Sequence, residues 1–148
     1  MVIEIIGLIL IICILVGVSF KDAKCHIIPN YLVILLGITG VSVRFSLGKI
    51  DFVQIILDSM AVALFMLIVS LIFKGAFGGG DIKIMMASGI LLGYRTNVEV
   101  FVIAMILTAI AGGIQMIREK KRLRECIPLG PMISIGIIWG YVNVYLSI

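Results

Sequence analysis

An all-α bundle of about six membrane-spanning helices is the fold this sequence predicts, and three observations predict it. Of the 148 residues, 62% are hydrophobic and only 14% are charged, where a soluble domain carries about 25% charged residues. The apolar residues gather into runs near the roughly 20 residues that a helix needs to cross a bilayer. No run alternates apolar and polar residues as a barrel strand would, so helices, which satisfy each backbone amide internally, are the expected spanning structure. With a mean hydropathy of +1.29, residues 1–148 read as a single membrane-embedded unit without a soluble domain.

The first apolar segment, Ile5 to Phe20, ends at Lys21 and Asp22. Glu4 stands where a signal peptide would carry basic residues and no small-x-small cleavage pattern follows, so this segment is expected to stay as an anchor. The second starts after Pro29 and Asn30, runs from Tyr31 to about Leu47, and is interrupted by Arg44. The third, Phe52 to Phe73, is interrupted by Asp58. Gly78, Gly79 and Gly80 separate it from the fourth, Asp81 to Tyr94, which is short for a span. The fifth is Val100 to Ile117; beyond the run REKKRLRE, the sixth extends from Ile127 to Ile148.

A formal charge of +4 could suggest nucleic acid, but five of the twelve basic residues lie in that one run between apolar segments. The pattern is a topology signal, so the expected partner is the lipid bilayer and not a nucleic acid. Lys21, Lys24, Lys74, Lys83 and the run fall on one side of a six-helix bundle; Arg44, Lys49 and Arg95 fall on the other. The richer side is predicted to be cytoplasmic, which places both termini outside. Cys13, Cys25 and Cys126 form no CxxC pair, and Cys25 with His26 is too small a ligand set for zinc. Neither a metal nor an organic cofactor is expected, and no feature specifies an oligomeric state.

Charged groups at membrane depth are costly, so each calls for a partner or a task. Glu4 can reach the interface. Asp58 lies about six residues into its segment from one side and Arg44 about thirteen from the other, which gives similar depths at 1.5 Å per residue. An Arg44–Asp58 ion pair is predicted there. Asp22 and Asp81 both fall at the expected cytoplasmic ends of their helices, level with one another. Asp81, after three glycines, has the position of an N-cap, and capping alone would account for it. Asp22, past the end of segment one, faces a helix dipole that disfavours an anion.

Two carboxylates that share a water can hydrolyse a peptide, one taking a proton and the other, protonated, supplying one. Helix dipoles bias the roles toward Asp81 as base and Asp22 as acid.

The run GGGDIKIMMASGILLG carries the GxGD signature of intramembrane aspartyl peptidases and resembles the second catalytic block of type IV prepilin peptidases. DAKCHIIPNYL resembles their first block and IPLGPMISIG their Pro-x-Gly-Pro block. The resemblance implies that Asp22 and Asp81 are the catalytic pair. It implies a prepilin or pilin-like precursor as substrate, cut on the cytoplasmic side of the inner membrane just before its apolar helix. Long bacterial members add a cysteine-paired N-terminal portion and N-methylate the product; peptidase activity alone is expected here, as in the short peptidases of tight-adherence pili and their archaeal relatives.

Gly78 and Gly80 would remove side chains where substrate and water approach, and permit positive φ. Lys83 would tune Asp81 or bind a substrate carbonyl, or simply snorkel. Pro29 suits a first helical turn, and Asn30 could bond the Asp22 loop. Pro128, Gly130 and Pro131 would bend or loosen the entry to segment six where a substrate helix docks. A different class remains consistent with the charges: a transporter or assembly subunit that uses the same carboxylates as a proton relay.

Overall fold

The computed structural model describes residues 2–25, 27–48, 51–74, 76–119 and 129–146. These form six α-helices: α1 (Val2–Cys25), α2 (Asn30–Ser46), α3 (Phe52–Ile72), α4 (Gly79–Leu92), α5 (Tyr94–Glu119) and α6 (Gly130–Tyr141), the last continued by a π-helical turn at Val142–Leu146. There is no strand among the described residues. The chain is thus the polytopic all-α bundle its composition predicts.

Three helices, α1, α3 and the Tyr94–Ile114 part of α5, are long and apolar enough to cross a membrane. Asn30–Ser46 and Gly130–Leu146 are shorter apolar helices. α4 is shorter still: its 14 residues extend about 21 Å. It is also the hub, packing against α2, α3, α5 and α6, while α1 closes against α2 and α6. Ile84, Met85 and Leu91 of α4 are fully buried with Leu36 of α2, Met66 of α3 and Ile133 and Ile137 of α6. Large apolar side chains such as Ile9, Leu57, Phe65 and Ile106 point outward. That is the arrangement of a protein whose solvent is lipid.

Close approach to the hub depends on Gly89. A Cβ there would run into the Asp58 carbonyl and stand 2.9 Å from the Ser59 Cα, so α3 and α4 touch backbone to backbone. Small residues at such crossings let packing contacts hold helices together where the hydrophobic effect cannot.

The α4–α5 connection differs from the expected loop. Only Gly93 separates the two helices, and its φ of +83° is the left-handed value that glycine accepts at no steric cost. Residues 94–99 therefore belong to α5. Polar Asn97 was hidden in that apparent loop; it is fully buried, accepts from the Ser88 hydroxyl at 2.6 Å and donates to the Met85 carbonyl at 3.0 Å. Charged Arg44 and Asp58 meet as predicted, Nη2 to Oδ2 at 2.8 Å, and Asp58 Oδ1 also accepts from the Tyr94 amide at 3.1 Å. One carboxylate thereby ties α2, α3 and α5 together.

Candidate active site

Asp22, in the last turn of α1, and Asp81, in the first turn of α4, open on one cavity of about 520 Å³. The connection Ile27–Pro29, Asn30, the glycines Gly78 to Gly80 and Lys83 complete its lining. Asp22 is buried, Asp81 half-buried, and their charges act on one another. The helix order brings them together: two crossings separate the end of α1 from the end of α3, so the α1–α2 and α3–α4 connections share a face of the bundle.

The α3–α4 connection is held by the Ser70 hydroxyl donating to the Phe77 carbonyl at 3.2 Å and by the edge of Phe77 against Phe101. From there the chain enters α4 with Gly78 as N-cap. Asp81 is therefore three residues inside the helix and does not cap it in the usual sense. Its carboxylate turns back to the Gly78 amide, the reach that the third-position acid makes in a capping box.

The glycines act by size and not by conformation. Gly78 has a φ of −67°, and the positive-φ glycines among the described residues are Gly48 and Gly93. A Cβ on Gly78 would lie 2.9 Å from Asp81 Oδ2, and one on Gly80 would lie 2.9 Å from Ile28 Cβ. Bare backbone lets the carboxylate fold over the helix start and lets α4 slide against the α1–α2 connection.

Pro29 is the N-cap of α2, one position before the expected first turn. Asn30 does not bond the Asp22 loop; its Oδ1 accepts from Lys83 Nζ at 3.0 Å. That bond joins the start of α2 to the second turn of α4 beside the cavity. It also gives Lys83 a protein partner on the cavity that Asp81 lines.

Gly130 and Pro131 are the first two residues of α6, and the entry before Leu129 on which the expected bend falls lies outside the described residues. Pro128 lies outside the described residues, as do His26, Lys49, Cys126 and the basic run beyond residue 119. The Gly130 amide donates to Asp22 Oδ2 at 2.8 Å, a contact that no local pattern predicts. It changes the electrostatic picture: Asp22 also stands before a helix N-terminus, that of α6, so the dipole argument that made Asp81 the base and Asp22 the acid no longer separates them.

A larger cavity, about 800 Å³, opens at the other end of the bundle around Arg44, Asp58, Gly93 and Tyr145. Its buried charges neutralise each other in the Arg44–Asp58 pair, which suits structure better than catalysis. No three His, Cys, Asp or Glu side chains among the described residues come together as a metal site. In the smaller cavity, two carboxylates can instead grip and polarise a water beside an extended backbone.

Comparison with known proteins bears on the same residues. The model of the type IV leader peptidase family matches residues 9–113, a stretch that holds both aspartates. The chain is similar to a prepilin leader peptidase/N-methyltransferase of Bacillus subtilis, 25% identical over 139 residues. That match covers 94% of this chain and 56% of the relative, so the chain spans little more than half the length of the curated protein it matches. No solved structure matches.

Proposed function

The chain belongs to the type IV leader peptidase family, and from that premise we propose that residues 1–148 act as one membrane-embedded aspartic endopeptidase that removes the leader from prepilin or pilin-like precursors. The observation that carries the proposal is the meeting of Asp22 and Asp81, from two separate helix ends, on one cavity. In the proposed reaction one carboxylate is ionised and the other protonated, the state that like charges on one cavity favour. The ionised member takes a proton from water as its oxygen attacks the scissile carbonyl. The protonated member polarises that carbonyl and a proton passes to the leaving nitrogen.

The other residues prepare this step. Gly78 and Gly80 let Asp81 and Ile28 pack against the start of α4, Gly79 between them leaves its backbone open to an extended peptide, and the Lys83–Asn30 bond holds the two rims of the cavity in register. Hydrolysis is the whole of the reaction proposed for these residues; methyl transfer is assigned to none of them.

The distribution of basic residues supports a cytoplasmic location for the cavity and an external one for both chain ends. Cys25, exposed near the end of α1, gives a direct probe. In a variant retaining only that cysteine, an impermeant thiol reagent should label it after permeabilisation and not before; labelling in intact cells would reverse the orientation.

Activity is tested by co-expression with a pilin precursor. Wild-type protein should convert the precursor to a shorter form, and Asp22→Ala or Asp81→Ala should each abolish the conversion. Mass spectrometry of the new N-terminus should find it unmethylated. Unaltered cleavage by either variant would remove that aspartate from the mechanism.

A further inference from the structure

Asp22 occupies a place that its own helix makes unfavourable. It lies in the last turn of α1, where carbonyls without helical partners concentrate negative partial charge. Only 6% of its surface is exposed, so water offers little relief. Relief comes from far along the chain: the Gly130 amide, first in α6, donates to Oδ2. Leu129, at the cap position of α6, supplies no side-chain cap. The carboxylate of Asp22 thus does for α6, from another helix, what a local Asp or Ser does at an ordinary N-terminus.

The fit admits nothing larger than glycine. A Cβ on Gly130 would stand 2.6 Å from Asp22 Oδ2 and 2.9 Å from both its Cβ and its Cγ. α6 is held against α1 at its other end as well, where the Tyr141 hydroxyl donates to the Glu4 carbonyl at 3.0 Å. The first turn of α6 therefore has a defined position relative to Asp22.

We infer that the Gly130 amide is the positioning group for Asp22: by holding Oδ2 it sets the side-chain rotamer and leaves Oδ1 for the water in the cavity shared with Asp81. The inference rests on Asp22 being one of the reacting carboxylates. A Cβ at residue 130 would displace the carboxylate by about the 1 Å that costs a catalytic geometry roughly 100-fold in rate. The other titratable groups lining the cavity are Asp81 and Lys83 of α4, and the first turn of α6 adds no acid. A change in the pH profile on altering Gly130 therefore reports on the carboxylate pair.

The test compares two glycines of α6. Gly130→Ala should lower kcat roughly 100-fold, leave KM unchanged and shift one limb of the pH–rate profile. Gly136→Ala is the control, because its Cβ would press on Val100 of α5 at 3.0 Å without touching either aspartate. That variant should lower thermal stability and leave the pH profile in place. Wild-type protein labelled with 15N-glycine provides a measurement independent of folding defects. The Gly130 amide resonance should move with pH at the midpoint of that limb, and the movement should vanish in Asp22→Asn. A folded Gly130→Ala protein with wild-type kinetics, or a Gly130 resonance constant with pH, overturns the inference. Wild-type cleavage by Asp22→Asn would instead remove Asp22 from the reacting pair on which the inference rests, while the resonance still reports whether the contact exists.

Discussion

Arg44→Met removes one half of the ion pair at the end of the bundle away from the two aspartates. Asp58 is 2% exposed and the Arg44 side chain 11%, so the pair is desolvated. Without Arg44, Oδ1 of Asp58 keeps the Tyr94 amide and Oδ2 loses its 2.8 Å partner. Removing one partner of a buried pair costs about 3–5 kcal/mol, because the remaining charge stays buried and uncompensated. Arg44→Met combined with Asp58→Asn should recover most of this loss: the amide keeps an oxygen for Tyr94 and carries no charge. The assay is unfolding of the purified protein in mixed micelles with rising denaturant, run as a double-mutant cycle. Cleavage by the surviving folded fraction should be normal, since the pair lies away from the cavity of Asp22 and Asp81. A loss below about 1 kcal/mol for Arg44→Met, the range of exposed pairs, would refute the reasoning. So would a double variant no more stable than the single one.

Gly80→Ala should reduce kcat by roughly 10- to 100-fold, because its Cβ would push Ile28 and the α1–α2 connection away from α4; single-turnover cleavage measures it, and a wild-type rate would show that the connection gives way freely. Asn97→Ala should destabilise the fold by about 1–3 kcal/mol by stripping the Ser88 hydroxyl and Met85 carbonyl of a buried partner, read by the same denaturant titration. The pH–rate profile should be bell-shaped: activity falls in acid as the base is protonated and in alkali as the acid loses its proton. Cleavage rates across pH check this, and a profile with a single limb would mean that only one carboxylate takes part.

Much of the arrangement was legible because spans and depths can be counted. The number of crossings put Asp22 and Asp81 at the same end, and rise per residue matched Arg44 with Asp58. What stayed illegible depends on contacts between distant segments. Asn97 reads as loop beside Arg95, Thr96 and Glu99 until the Ser88 hydroxyl and Met85 carbonyl give it a buried site. Asp81 has the look of an N-cap because Asp is common there, yet Gly78 takes the cap and the acid moves in by three residues. The partner of Asp22 is 108 residues away, beyond any local pattern. Gly130 could be noticed within a Pro-x-Gly-Pro run, but its task could not, since that depends on where α6 meets α1.

The shortness of α4 has an electrical consequence. Cavities with charged residues in their linings sit at both its ends, and water filling them would bring the aqueous boundary inward from each face. A transmembrane voltage would then fall over about 21 Å instead of the roughly 30 Å of surrounding hydrocarbon, a local field about 1.4 times steeper. Asp22 and Asp81 stand at one edge of that field and the neutral Arg44–Asp58 pair at the other. The short helix would thus separate the two charged sites by the whole of that drop.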